Sequence, residues 1–283
     1  MRASRYGVPC KGSKSKLAED IVNALPNGNR LVDICGGGFA ISHCALLSKK
    51  WGKVLYNDRD STWLPYLNDV MDGKYLPDIY DPPFIERTEF ANKRDKDAFI
   101  KWNWSFSCNG EDYAFSYNTE DWKKAIHEYI VNGRYESFIK GTLPDIAEYV
   151  KAKDWVSRRA EFNNCVTVHK KELKNLSAMR CEGLERIESL QSLAGIGDLR
   201  NNLEMTTMDY RKYQYQPGDI VYCDISKDNL DDFFDFVHWA TEQRFPVYFS
   251  MYDFVMPIWH RDASTVRRNG GGKIHRMDVI YKA

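Results

Sequence analysis

The chain has 283 residues, of which 43% are hydrophobic and 28% are charged, and this balance predicts a folded globular protein rather than a disordered one. Its 40 basic and 40 acidic residues cancel, so the composition does not by itself indicate nucleic acid, although a local basic face suffices for binding DNA. No apolar run reaches the roughly 18 residues of a membrane span, and the basic N-terminus lacks the apolar core of a secretory signal. Seven cysteines without a C-x-x-C pair predict neither structural zinc nor a disulfide framework. We therefore expect a soluble cytoplasmic protein with no membrane or metal partner.

The first part of the chain predicts a parallel strand pair. The elements are a helix with Leu17, Ile21, Val22 and Leu25 on one face, a strand at 30–34, a glycine turn, a helix at 39–48 and a strand at 53–58. Two strands joined through a helix are expected to run parallel.

The middle of the chain, from Tyr66 to about Arg200, is polar and aromatic. Asn109-Gly110 lies between alternating aromatic residues and predicts a hairpin. Helices are predicted at 121–131 and 146–173, and a further apolar helical stripe comprises Leu184, Ile187, Leu190 and Leu193.

The last third returns to strands and helices. Strands are predicted at 219–224, 246–250 and 277–281, and a helix at 230–243. Together the elements predict an α/β fold, with a mostly parallel sheet covered by helices and interrupted by an insertion.

The glycine turn has the character of a ligand loop. Residues 33–38 read Asp-Ile-Cys-Gly-Gly-Gly between a strand and a helix, and Asp58 ends the next strand, where an acid can accept hydrogen bonds from a ribose. The turn matches neither G-x-G-x-x-G nor a P-loop, so it suits an adenosine cofactor without phosphate, namely S-adenosylmethionine. The alternative is a tight structural turn.

The N-terminal segment from Tyr6 to Lys14 is a glycine and lysine loop. A lysine here could pair with the carboxylate of the cofactor, and Tyr6 could pack on it. Read in isolation, the segment is only a flexible basic arm.

Together these motifs resemble the bacterial and phage Dam-type DNA adenine-N6 methyltransferases. The resemblance rests on segments 6–14, 33–38, 56–58, 104–110, 121–125, 202–210, 218–224 and 246–250, in the order of the family. It implies a Rossmann-like methyltransferase domain at 1–65 and 201–283, with a mainly helical target-recognition insertion at 66–200.

The resemblance also implies a cofactor, a substrate and roles for individual residues. The cofactor would be S-adenosylmethionine and the substrate adenine in double-stranded DNA. The implied cofactor-binding residues are Tyr6, Lys11, Asp33, Gly36, Gly38, Asp58 and Asp209, with Asp58 at the ribose or nearby adenine edge and Asp209 at the adenine amino group. Lys123, Lys124, Arg158 and Arg159 are predicted at DNA phosphates, where the alternative for each is solvated surface.

The family's catalytic motif, Asp-Pro-Pro-Tyr, aligns with Asp224-Ile225-Ser226-Lys227. Asp224 and the carbonyl of Ile225 would accept the two N–H bonds of the target amine, but the aromatic ring that stacks on the flipped base is replaced by lysine. This departure motivates an alternative function, an impaired or inactive relative that binds cofactor or DNA as a partner or regulator. A different transferase reaction on the same cofactor is the third possibility. Asp81-Pro82-Pro83-Phe84 carries the letters of the motif, but its position in the insertion predicts a turn.

Overall fold

A computed structural model describes residues 6–8, 10, 12–60, 62–134, 153–168, 181–224, 230–252, 265–266 and 278–282. The chain divides into two compact units, one formed by Lys74–Gln191 and the other by Ser4–Gly73 with Ser192–Ala283. The predicted boundary at 65/66 falls inside the helix Trp63–Met71, which belongs entirely to the second unit. The division observed between these units lies at 73/74 instead.

Over the described residues, the unit of Ser4–Gly73 and Ser192–Ala283 is built on a sheet of seven strands. Its strands are β1 (Arg30–Asp33), β2 (Lys53–Asn57), β3 (Leu203–Thr206), β4 (Asp219–Cys223), β5 (Val247–Tyr252), β6 (Thr265–Val266) and β7 (Asp278–Lys282). The spatial order is β3-β2-β1-β4-β5-β7-β6, in which the first five strands are parallel and β7 is antiparallel to both neighbours. The predicted α/β fold is confirmed at this level.

The helices of this unit are α1 (Ala18–Ala24), α2 (Ala40–Ser48), α3 (Trp63–Met71) and α10 (Leu230–Thr241). The predicted apolar face of α1 is buried, as are all residues of β1 and β4. Val32, Leu55, Val221, Phe236 and Phe249 form the centre of the core, each at most 1% exposed. Strands buried along their whole length explain why these segments read as continuous apolar runs rather than alternating ones.

The unit of Lys74–Gln191 is helical. Over its described residues, its helices are α4 (Leu76–Tyr80), α5 (Arg87–Lys93), α6 (Ala98–Asn103), α7 (Glu120–Asn132), α8 (Trp155–Val168) and α9 (Glu182–Ala194). Helix α9 continues past Gln191 into the other unit's part of the chain. The every-third-residue stripe at 184–193 lies on α9, and all four of its side chains are fully buried. Helix α7 confirms the prediction at 121–131, whereas the prediction at 146–173 is met over Trp155–Val168 and otherwise falls outside the described residues.

The predicted hairpin at Asn109-Gly110 is met only in part. The chain reverses there, and antiparallel bonds run from the N–H of Phe106 to the carbonyl of Asp112 and from the N–H of Ala114 to the carbonyl of Trp104, but regular strands and a two-residue turn do not form. The segment instead follows α6 with a short 3₁₀ turn at Phe106–Cys108 and one isolated antiparallel bridge between Ser105 and Tyr113. A two-residue hairpin turn of the Asn-Gly type needs a positive φ at both residues, and Asn109 has φ −78° while Gly110 has +73°. The asparagine side chain accepts backbone N–H bonds from Glu111 and Asp112 instead, which stabilises a wider loop.

None of the helices in the described part of the chain combines the length and the apolar character that a membrane span requires.

A buried ion pair joins the first residues of the two central strands. Arg30 faces Asp219 in the parallel register, and its guanidinium donates to both carboxylate oxygens, at 3.0 and 2.8 Å. Both residues are less than 10% exposed. The more exposed Glu204 lies 3.7 Å from the same guanidinium. Two parallel hydrogen bonds fix the direction of both side chains, so this pair locks the register of β1 against β4.

We expect Asp219→Ala to cost about 3 kcal/mol or more in the free energy of unfolding, because it leaves a guanidinium buried without its main acceptor. Urea denaturation would measure the loss. Glu204→Ala is the matched control, and its cost should stay below about 1 kcal/mol because its carboxylate is largely solvated. Equal losses in the two variants would contradict the assignment.

Candidate functional site

The carboxyl ends of β1 and β4 lie side by side. The two strands pair in parallel with Asp33 opposite Tyr222, and the N–H of Ile34 donates to the carbonyl of Tyr222 at 3.0 Å, one residue beyond β1. From β1 the sheet continues to β2 on one side and to β4 on the other. This is a topological switch point, the place where open α/β sheets bind their ligands.

The glycine turn follows β1 at this edge and is shaped by protein contacts. A side chain on Gly36 would place its Cβ 2.3 Å from the ring of Tyr56, and one on Gly38 would place it 2.4 Å from the carbonyl oxygen of Val8. Gly37 has φ +44° and open space around it, and its carbonyl accepts a 2.8 Å hydrogen bond from the hydroxyl of Tyr56. Gly36 and Gly38 are therefore required by close packing of the protein itself, and Gly37 presents the open face of the turn.

The N-terminal segment docks on the turn. The N–H of Val8 donates to the carbonyl of Gly38 at 2.7 Å, and the N–H of Gly7 donates to Nδ1 of His43 at 3.0 Å. Burial lowers the pKa of His43 to about 4, so the ring is neutral and accepts this bond at ordinary pH. The segment therefore forms a wall of the site.

Tyr6 occupies a different place from the one predicted. Its side chain is 7% exposed, its hydroxyl donates to the carboxylate of Glu19 at 2.5 Å, and its ring packs edge-on against His43. These contacts anchor the N-terminal segment, and the contact of Tyr6 with a cofactor stays a prediction. Lys11 lies outside the described residues.

Asp33 ends β1 and is almost completely buried. Its carboxylate accepts hydrogen bonds from the N–H and the hydroxyl of Ser42, at 3.2 and 2.7 Å, so it caps the early turns of α2. Burial, together with the nearby carboxylates of Asp58 and Asp224, raises the pKa of Asp33 to about 7. The charged form of Asp33 is therefore disfavoured and would be favoured by a neighbouring cation.

Asp58 follows β2 and holds the glycine turn from the other side. One carboxylate oxygen accepts the N–H of Gly37 at 2.7 Å, and the other accepts the N–H of Asp60 at 2.8 Å. Burial raises the pKa of Asp58 above its ordinary value. Each carboxylate oxygen can accept a second bond, so a ligand hydroxyl resting on Gly37 could share this acid.

Asp209 follows β3, the next strand beyond β2. Its carboxylate pairs with Arg211 at 2.9 Å, and this pair lowers the pKa of Asp209. Asn57, 1% exposed at the end of β2, positions the approach to Asp209, because its side-chain oxygen accepts from the N–H of Met208 and its amide nitrogen donates to the carbonyl oxygens of Met208 and Ile34. The ends of β1, β2 and β3 are thus tied through one asparagine.

Asp224 directly follows β4. Its Oδ1 lies 2.8 Å from the ammonium of Lys14 and accepts a 3.0 Å hydrogen bond from the hydroxyl of Ser250, which itself accepts from the buried Tyr222 hydroxyl at 2.9 Å. The Asp224 side chain is 23% exposed. Two donors from different elements thus fix the carboxylate. Ile225, the other predicted catalytic residue, lies outside the described residues.

An acid therefore follows or ends each of four neighbouring parallel strands at one edge of the sheet. In spatial order these acids are Asp209, Asp58, Asp33 and Asp224. The pKa of Asp33 responds to two of the others, which places three carboxylates within one electrostatic environment. Such an edge favours a ligand that carries positive charge.

Two of the four basic residues predicted at DNA phosphates are buried in the helical unit. The ammonium of Lys123 pairs with Glu182 at 3.0 Å, and the guanidinium of Arg159 pairs with Glu188; both basic side chains are at most 8% exposed. A buried, paired cation cannot reach a phosphate without breaking its pair, so the prediction needs correction for Lys123 and Arg159.

The other two basic residues differ in exposure. Arg158 is partly buried, and it donates to the carbonyl oxygens of Ile130, Val131 and Lys153. Lys124 is 49% exposed and pairs with Glu86 at the surface. Lys124 is therefore the most exposed of the four basic side chains, and a surface pair of this kind exchanges readily.

The Asp81-Pro82-Pro83-Phe84 segment lies in the helical unit, directly after α4, and forms a loop, as predicted. The carbonyl of Pro82 bonds to His127 at 2.8 Å, and the ring of Phe84 packs against Trp104, Phe115 and His127. These contacts make the segment part of an aromatic core.

Sequence reasoning missed the residues that position the acids. Asn57, Ser250 and the pairing of Lys14 with Asp224 emerge only once the strands are ordered. Asn57 and Ser250 do carry a signal, because each is a polar residue at or near the carboxyl end of a buried parallel strand, where ligand-binding residues of such sheets collect.

Comparison with known proteins identifies no family, since no family model and no curated protein matches the chain.

We expect Asp33→Asn to stabilise the protein relative to wild type increasingly as the pH rises from about 4 to about 7. With a folded pKa near 7, the wild-type carboxyl contributes stability that is complete below its unfolded pKa of 3.8 and is lost as the pH rises. The difference in free energy of unfolding should grow by about 1 kcal/mol per pH unit, measured by denaturant unfolding across this range.

Ser42→Ala is the matched control, because it keeps the carboxyl group but removes a donor that lowers its pKa. This variant should keep the pH dependence of the wild type or steepen it. If the difference in free energy of unfolding between Asp33→Asn and wild type did not vary with pH, the raised pKa of Asp33 would be contradicted.

Proposed function

We propose that this protein is an S-adenosylmethionine-dependent methyltransferase of Rossmann-like fold that modifies the N6 amino group of adenine in double-stranded DNA. The observation that carries the proposal is the pairing of β1 with β4, which brings the glycine turn and Asp224 to one edge of the sheet. The strand order, with a reversed β7 between β5 and β6, is also typical of Rossmann-like methyltransferases.

The residues at this edge fit the proposed cofactor. S-adenosylmethionine, when bound, supplies a methyl group activated by a positively charged sulfur. Gly37 offers an open backbone face beside Asp58, which suits a ribose, and Asp33 is an acid whose ionisation a nearby cation would favour.

In the proposed reaction Asp224 accepts an N–H of the target amine. This contact makes the nitrogen lone pair more available for in-line transfer, and positioning supplies most of the remaining effect. Ser250 holds the accepting oxygen in place, while Lys14 stabilises its negative charge. The amine would have to share or replace the lysine at Oδ1.

A second candidate function is a relative without methyltransferase activity that binds the cofactor or DNA as a partner or regulator. The ion pair of Lys14 with Asp224 favours it, because the pair already satisfies the carboxylate that the reaction would use. The replacement of the Asp-Pro-Pro-Tyr motif by Asp224-Ile225-Ser226-Lys227 favours it as well.

Transfer of a tritiated methyl group to unmethylated DNA tests the first candidate. We expect incorporation by wild type and a reduction of about 10- to 100-fold in Asp224→Ala, the effect of one hydrogen bond to a charged group. Asp81→Ala is the matched control, since it alters the look-alike motif in the helical unit, and it should retain wild-type incorporation.

Calorimetry with S-adenosylmethionine separates the two candidates. Binding by wild type without any incorporation supports the regulator, and incorporation excludes it. Absence of both binding and incorporation would reject the cofactor assignment, while equal incorporation by wild type and Asp224→Ala would reject the role of Asp224.

A further inference from the structure

Two cysteines meet at the edge of the sheet, one in the turn that follows β1 and one at the end of β4. The sulfur atoms of Cys35, which opens the glycine turn, and Cys223, the last residue of β4, are 2.9 Å apart, and both thiols are free. This is closer than unbonded sulfur atoms usually approach, and a disulfide requires about 2.05 Å. The gap is therefore small.

The two thiols differ in accessibility. Cys223 is fully buried, and burial raises its pKa well above the ordinary value, whereas Cys35 is partly exposed. An oxidant in solution can therefore reach Cys35 but not Cys223. This is the arrangement of an accessible sulfur with a resolving partner beside it.

The pairing of β1 with β4 does not oppose the remaining approach. Cys35 lies beyond the last strand-like contact of β1, the hydrogen bond between Ile34 and Tyr222, and its own position is in the turn. The sulfur gap can therefore close by a small movement of the turn without breaking the pairing of β1 with β4. Cys223 stays fixed in the strand.

We propose that Cys35 and Cys223 form an oxidant-sensitive modification site that a peroxide converts reversibly into a disulfide. Peroxide first oxidises the Cys35 thiol to a sulfenic acid, and one water leaves. The Cys223 sulfur then attacks the Cys35 sulfur, the S–S bond forms, and the hydroxyl leaves as a second water with the Cys223 proton. Two thiols are oxidised by two electrons, and one peroxide is reduced to two waters.

The site is independent of the proposed methyltransferase function, since its chemistry needs only the two sulfur atoms and an oxidant. The disulfide would connect residues that are 188 positions apart in the chain, so it would restrict the unfolded state strongly. It would also join the glycine turn covalently to the residue that precedes Asp224.

Peptide mapping of the whole protein tests the proposal. The reduced protein is treated with hydrogen peroxide under native conditions, its remaining thiols are alkylated in denaturant, and it is digested without reductant. We expect a peptide that joins Cys35 to Cys223, with the loss of two hydrogen atoms, and its disappearance after dithiothreitol. The oxidised protein should also melt at a higher temperature than the reduced one.

Cys35→Ser should abolish both the cross-linked peptide and the rise in melting temperature. Cys10→Ser is the matched control, because the Cys10 sulfur also lies close to the glycine turn, 3.1 Å from where a Cβ of Gly38 would be, and this variant should keep both effects. The proposal is overturned if Cys35 stays reduced, if it pairs with Cys10, or if it oxidises to sulfinic acid without a cross-link.

Discussion

The parallel pairing of β1 with β4 is the constraint on which the rest of this protein depends. It is fixed at one end by the buried pair of Arg30 with Asp219 and continued at the other by the bond between Ile34 and Tyr222. Because 189 residues separate the partners of the ion pair, the pairing closes a long loop whose entropy must be offset by burial of the central strands. Which side chains meet at the carboxyl edge of the sheet depends on this register.

The glycine turn is held in shape by the protein rather than by a ligand. Tyr56 covers Gly36, the N-terminal segment covers Gly38, and Asp58 holds the N–H of Gly37. A turn held from three sides is organised before any ligand arrives, which reduces the ordering cost of binding. The turn can therefore serve both as a tight structural turn and as a ligand-binding loop.

The same edge concentrates negative charge, and its cations are supplied from nearby elements. Lys14 pairs with Asp224 and Arg211 with Asp209, whereas the buried Asp33 has hydrogen-bond donors from Ser42. Because the acids at this edge outnumber these two cations, the edge would attract a ligand that carries positive charge.

Much of the fold follows from the sequence alone, because local periodicity reports local burial. The apolar runs at β1 and β4 and the stripe on α9 are such patterns, and each is confirmed. The short edge strand β3 was not predicted, because its residues are partly buried or exposed and their pattern is weak. The chain reversal at Asn109-Gly110 was predicted, but its turn is wider than the sequence indicates, because the Asn109 side chain bonds to the backbone within the loop.

At the candidate site, too, some features follow from the sequence and others only from the tertiary structure. The sequence by itself determined that a glycine turn follows one buried strand and that acids follow others, since those features are local. Only the tertiary structure decided that Lys14 pairs with Asp224, that Cys35 meets Cys223, and that Lys123 is buried. Each of these contacts joins distant parts of the chain, and the order of strands and the packing of helices, not local pattern, decide which side chains meet.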